Sequence, residues 1–228
     1  MFKGSVVAIV TPFKNGKVDK ESFKKLIEFQ ISNGTSAILI CGCTGEPATL
    51  SFKEHIDLIN YGVEIVNGRV PVIGGTGSNS TEEAIELTKE AEKAGCNACL
   101  LITPYYNKPT PKGLYEHYRK IAESVSIPII LYNVPSRTGI SILPETVAKL
   151  SEIENIVGIK EASGSLDQVS KIISLCPEDF VVLSGDDSLT FPIMALGGKG
   201  VISVAANVVP DTLKKMVKNA LEGKCCLL

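Results

Sequence analysis

IVGIKEAS, residues 156–163, is an apolar, β-rich run that carries a lysine, Lys160, in its interior. A near-continuous Val/Ile run suits a strand buried on both faces, as in a parallel sheet covered by helices, and not one that alternates against solvent. Seven more runs share its character: VVAIV (6–10), AILIC (37–41), VPVIG (70–74), ACLLI (98–102), PIILY (128–132), FVVLS (180–184) and GVISV (200–204). Helix patterns lie between them. Ser80 and Glu83 spell a capping box ahead of AIELTKEAEKA, and Gly95 is placed to stop that helix. Phe23, Leu26, Ile27 and Ile31 form one apolar stripe, Leu114, Tyr118, Ile121 and Val125 a second, and Leu213, Met216, Val217, Ala220 and Leu221 a last one closed by Gly223. Pro144 suits a first helical turn. Eight βα units in series predict an α/β fold, the parallel eight-stranded (β/α)8 TIM barrel, as a single domain over 1–228. A doubly wound open sheet is the alternative, but no glycine-rich dinucleotide turn follows the first strand.

Composition narrows the function class. The chain has 228 residues, 44% of them hydrophobic, and its 23 basic and 25 acidic residues are interspersed, leaving a formal charge of -2. That balance gives no electrostatic reason to bind nucleic acid or an anionic membrane and favours small metabolites as partners. The apolar run near the N-terminus is far shorter than the roughly 20 residues of a membrane helix, and a cytoplasmic location is expected. Cysteines at 41, 43, 96, 99, 176, 225 and 226 form an odd, scattered set that reads as reduced thiols.

In a barrel, chemistry gathers at the C-terminal ends of the strands. Lys160 is the anomaly there, because burial lowers a lysine's pKa and a neutral amine is the nucleophile that forms Schiff bases with carbonyls. The competing reading is an ion pair with Glu161 or another carboxylate, although adjacent strand residues face opposite ways. Tyr132, at equivalent depth on the neighbouring strand, is a candidate proton donor and acceptor or else a half-buried core tyrosine. Thr44 and Gly45 offer backbone N–H groups for a carboxylate, and Arg137 offers a bidentate clamp for a second one. Ordinary loop roles stay open for all three.

Taken together, GCTGE (42–46), TPYYNKP (103–109), YNVPSRTG (132–139) and GIKEAS (158–163) resemble the dihydrodipicolinate synthase group of the N-acetylneuraminate lyase family of class I aldolases. The likeness runs from about Met1 to Gly223 with the motifs in the family's order and spacing. It implies a Schiff-base condensation of pyruvate with L-aspartate 4-semialdehyde, giving 4-hydroxy-tetrahydrodipicolinate in lysine biosynthesis through diaminopimelate, without a cofactor or metal. By position it makes Lys160 the imine-forming residue, Tyr132 the general acid/base, and Thr44, Gly185 and Ile202 parts of the pyruvate site. Arg137 takes the semialdehyde's carboxylate. A proton relay joins Tyr132 to Cys43, where the family usually has Thr or Ser, and to Tyr106 reaching across a homodimer or homotetramer interface. Alternatives are an N-acetylneuraminate aldolase, against which SRTG argues, a 2-keto-3-deoxy-sugar acid aldolase, and a catalytically impaired barrel that binds keto acids.

The resemblance sets two further expectations. Family members continue into C-terminal helices that this chain lacks, and a lysine-binding pocket falls at Pro47, Ala48, Phe52, His55, Asn79 and Glu83. Other motifs are weak. Cys96 and Cys99 lack the second pair a zinc site needs. The CCLL ending (225–228) is a poor prenylation box, and Gly74, Gly75 and Gly77 lack the lysine of a phosphate loop. Asp186 and Asp187 suggest a cation site, but an acidic loop or cap reads at least as well.

Overall fold

The computed structural model describes residues 2–224, so the CCLL ending lies outside the described residues. Its first strand, β1 (Gly4–Ala8), is followed by a short hairpin, β2 (Phe13–Lys14) and β3 (Lys17–Val18). The chain continues through α1 (Lys20–Ser32), β4 (Ala37–Ile40), α2 (Phe52–Val66), β5 (Val72–Gly75), α3 (Thr81–Ala94), β6 (Ala98–Ile102) and α4 (Pro111–Glu123). After β7 (Ile129–Asn133) come the single turn α5 (Pro135–Thr138), α6 (Pro144–Leu150), β8 (Ile156–Glu161) and α7 (Leu166–Leu175). Last are β9 (Val181–Ser184), α8 (Thr190–Ala195), β10 (Gly200–Ser203) and α9 (Pro210–Leu221). All strands but the hairpin pair in parallel and close in the order β1-β10-β9-β8-β7-β6-β5-β4, with β1 meeting β4. This is the eight-stranded barrel that the periodicity predicts. Among the described residues no helix is long and apolar enough to cross a membrane.

Two apolar layers hold the barrel, and strand parity sorts residues between them. Val6, Ala8, Leu39, Ile73, Leu100, Ile130, Tyr132, Leu183 and Ile202 cluster inside. Val7, Ile38, Ile40, Cys99, Leu101, Leu131, Ile159 and Val182 cluster with the helices, where they meet Phe23, Ile27, Leu114, Tyr118, Ile121 and Leu213. Each fully buried Leu, Ile or Phe in these layers contributes about 1.5–3 kcal/mol of transfer free energy. The predicted stripes are these helices' inner faces, though Leu221 stands exposed at the end of α9.

Barrel closure depends on a close approach at one seam, where Gly4 pairs with Gly200. Their φ values are 103° and 149°, and a Cβ on Gly200 would stand 2.1 Å from the Gly4 carbonyl oxygen. Only glycine fits there.

Some local expectations need correction. The first strand starts two residues early and ends at Ala8, because Val10 donates its N–H to the Asn207 side chain and Pro12 has none to donate. The third barrel strand begins at Val72, after Pro71. The α3 capping box is half formed: Ser80 accepts from the Glu83 N–H, but the Glu83 carboxylate is taken by the Ser78 hydroxyl instead of returning to Ser80. The complete box is Ser51 with Glu54 on α2. The Asn15-Gly16 hairpin turn, with both φ values positive, is absent from the periodicity reading although its dipeptide favours such a turn.

Candidate active site

The inward parity that brings Tyr132 into the barrel does the same for Lys160. Ile159 belongs to the outer layer, and β8 pairs Lys160 directly with Tyr132 of β7. Lys160 is 3% exposed and Tyr132 is 5% exposed. The lysine Nζ stands 4.2 Å from the centre of the tyrosine ring.

Glu161 points the other way and is fully engaged there. Its carboxylate accepts from Asn133 Nδ2 at 3.2 and 3.0 Å, from the Ser163 N–H at 2.7 Å and from Gln168 Nε2 at 3.1 Å. The Lys160–Glu161 ion pair is therefore excluded, and among the described residues Lys160 makes no salt bridge at all. Burial pushes its pKa down to about 8, with Arg137 acting in the same direction. Cys43, Asp186 and Asp187 oppose the shift. At pH 7 about a tenth of such an amine is neutral, against roughly one part in three thousand for an ordinary lysine.

Cys43 reaches this pair through an unusual turn. Behind β4, Cys41 adopts a left-handed φ of 57°, and Cys43–Gly45 forms one tight helical turn. The thiol and the Tyr132 side chain line one recess and interact electrostatically. Burial first, then Cys43, raises the phenol's pKa above its usual value, so Tyr132 holds its proton at neutral pH. Within the turn, the Gly45 N–H is donated to the Gly42 carbonyl at 2.8 Å. Of the two amides proposed for a carboxylate, Gly45 is thus spent on the fold and only Thr44 is left uncommitted to the turn.

Gly185, just past β9, lies against the lysine. A Cβ there would stand 3.1 Å from Lys160 Cε and 2.6 Å from Ala162 Cβ, so the missing side chain makes room for the amine. Ile202 is buried on β10 in the inner layer. Arg137, on α5, is exposed and its guanidinium makes no hydrogen bond or ion pair among the described residues. It lines a cavity of about 580 Å³ together with Cys43, Pro47, His55, Glu83 and Tyr105. A recess of about 40 Å³ shares Cys43 with that cavity and reaches Tyr132.

Tyr106 does not join this cluster. It is 91% exposed, with φ of 69°, on a loop pinned by Asn107 Nδ2 donating to Asn79 O at 3.0 Å and Asn79 Nδ2 donating to Tyr105 O at 3.3 Å. Of the expected lysine-pocket residues, Pro47, Ala48, Phe52, His55 and Glu83 line the large cavity, whereas Asn79 does not.

Asp187 resolves toward the structural reading. Asp187 Oδ2 accepts from the Val204 and Ala205 N–H groups at 3.2 and 2.9 Å, tying the loop after β9 to the loop after β10. No cluster suited to a metal ion occurs among the described residues. The electrostatic pull of both aspartates on Lys160 went unread in the sequence, although their place just past β9, the strand next to β8, signals it.

Comparison with known proteins agrees with this arrangement. The family model described as the dihydrodipicolinate synthetase family matches residues 1–227. The 4-hydroxy-tetrahydrodipicolinate synthase of Geobacter sulfurreducens is 62% identical over 223 residues, covering 98% of this chain and 77% of that protein. The one from Persephonella marina is 58% identical over 225 residues, with the same coverage. The crystal structure of dihydrodipicolinate synthase from Aquifex aeolicus superposes with a TM-score of 0.97 at 54% identity, covering 98% of this chain and 76% of that one. With a closed barrel, an inward lysine and these relatives, the chain belongs to the dihydrodipicolinate synthetase family.

Proposed function

We propose that this protein condenses pyruvate with L-aspartate 4-semialdehyde through a Schiff base on Lys160, giving 4-hydroxy-tetrahydrodipicolinate for lysine biosynthesis. The observation that carries the reading is a buried lysine with no carboxylate partner, its pKa lowered to about 8, facing a tyrosine that keeps its proton. The neutral Nζ attacks the keto carbon of pyruvate, and Tyr132 protonates the carbinolamine oxygen so that water leaves and the imine forms. Loss of a methyl proton gives an enamine, whose carbon attacks the semialdehyde.

Thr44 and the backbone near Ile202 hold the pyruvate carboxylate, and the space left by Gly185 admits the keto carbon to Nζ. Arg137, free and at the cavity wall, binds the acceptor's carboxylate bidentately. That unpaired guanidinium favours an acidic aldehyde over a neutral sugar.

Tyr106 completes the relay in a neighbouring subunit of a homodimer or homotetramer. Its exposure and its left-handed backbone, held by the Asn79–Asn107 contacts, support that role. The reading implies a cytoplasmic biosynthetic enzyme.

Borohydride reduction in the presence of pyruvate tests the nucleophile. A stable adduct on Lys160, found by mass spectrometry and missing in Lys160→Ala, is expected; an unmodified Lys160 defeats the proposal. Comparing aspartate semialdehyde with sugar aldehydes as acceptors tests the substrate.

A further inference from the structure

Cys43 differs from the other described cysteines in what surrounds it. Cys41, Cys96 and Cys99 are buried among apolar side chains, and burial raises all three thiols, Cys96 up to about 12. Cys176 is half-buried but remote from the barrel mouth, on the end of α7. Cys43 is half-buried and lines both the large cavity and the recess that reaches Tyr132. It therefore meets solvent through the same opening as the substrate.

A second, independent feature marks this spot as one that receives a ligand. Lys160, 97% buried by its 3% exposure, has neither a hydrogen-bond acceptor nor an ion-pair partner among the described residues, and it interacts electrostatically with Cys43. Cys43 lines the recess that reaches Tyr132, and Arg137 lines the larger cavity with it. Cys43 is thus the partly accessible thiol of this cavity, beside the phenol and the buried amine.

We propose that Cys43 is an oxidation site inside the catalytic centre, at which hydrogen peroxide reversibly switches the enzyme off. The Cys43 thiolate attacks one peroxide oxygen, the O–O bond breaks, and the departing hydroxide takes up a proton as water. Sulfur is oxidised to a sulfenic acid while peroxide is reduced. The added oxygen occupies the recess that Cys43 shares with Tyr132, where the proposed proton relay must work. Two equivalents of a small thiol reverse the change: the first forms a mixed disulfide with loss of water, and the second displaces the Cys43 thiol and leaves as a disulfide with the first. A hydroxyl at this position is inert to the same chemistry, so the substitution of sulfur for oxygen adds a sensitivity that a threonine enzyme lacks.

The inference rests on the proposed catalytic roles of Lys160 and Tyr132, and its test separates the two. The purified protein is treated with hydrogen peroxide and dimedone, and its peptides are mapped. Expected are a dimedone adduct on Cys43, at least a fivefold loss of activity that dithiothreitol restores when dimedone is omitted, and less labelling in saturating pyruvate. Cys43→Thr should keep its own starting activity at the same peroxide dose. Activity loss with Cys43 unlabelled, or equal fractional loss in Cys43→Thr, overturns the proposal. So does undiminished labelling in an enzyme that traps pyruvate on Lys160. Failure of borohydride to trap pyruvate in untreated enzyme instead sinks the Schiff-base reading, while the dimedone map still reports on the thiol.

Discussion

Lys160 Nζ and the Tyr132 ring centre are 4.2 Å apart across the paired strands β8 and β7. This contact sets a buried amine without an ion-pair partner beside a phenol. Its cost and its proposed use have the same origin: burial disfavours the ammonium, and the neutral amine is what Schiff-base formation requires.

That cost should be measurable. Lys160 has a folded pKa of about 8 against an unfolded value near 10.4, so the unfolded chain binds more protons between those limits and this residue's contribution to stability improves as pH rises through that window. Below about pH 8 the penalty is complete. Lys160→Met should therefore be inactive yet more stable than the parent, by on the order of 2–3 kcal/mol at pH 7, with the gain fading by about pH 10.5. Urea denaturation of both proteins at pH 7 and pH 10 checks this, and a gain that does not shrink at high pH contradicts it. On the same grounds, the rate of imine formation should climb with pH to a plateau above about 8.

Cys43→Thr should raise turnover about fivefold, the equivalent of ~1 kcal/mol, because a hydroxyl in the recess beside Tyr132 is a stronger hydrogen-bond donor and acceptor than a thiol. The extent of Lys160 trapping by pyruvate should not change. Steady-state kinetics beside borohydride trapping would show it, and equal or lower kcat in the threonine enzyme refutes it.

Gly185→Ala should damage catalysis more than stability. The new methyl would press on Lys160 Cε and Ala162 Cβ, forcing the amine off its position at a cost of about 1–3 kcal/mol. A kcat drop of tenfold or more with a smaller change in Tm is expected. An unaltered kcat would mean that the lysine tolerates the crowding.

Free lysine should inhibit weakly or not at all. The resemblance places a lysine pocket at Pro47, Phe52 and His55, and all three line the large cavity, but Pro47 and Phe52 bring no polar group to an amino acid. His55 Nε2 is already engaged with the Gly75 carbonyl at 2.7 Å. A titration of activity with L-lysine decides the matter, and clear saturable inhibition in the millimolar range or below goes against this prediction.

The barrel was legible in the sequence because each strand is apolar on both faces, and the parity argument that turned Glu161 away from Lys160 followed from strand geometry alone. Boundaries slipped where proline removes a donor, at Pro12 and Pro71, or where a side chain caps the strand end, as Asn207 does for Val10. The lysine and its tyrosine could be found by position. The commitment of the Gly45 amide to its own turn could not, since it depends on Cys41 taking a left-handed conformation that no local pattern announces. The pull of Asp186 and Asp187 on the amine was hidden for a related reason: it acts between neighbouring strands and not along one.

The seam at Gly4 and Gly200 joins the first strand of the chain to the last. During synthesis, β1 and β9 would remain as two open sheet edges until the segment through Ser203 emerged, with their N–H and C=O groups available to any passing strand. The active site is then a late product of folding. A side chain at Gly4 or Gly200 would reveal itself first as aggregation of newly made protein, before any finished enzyme existed in which to measure a defect.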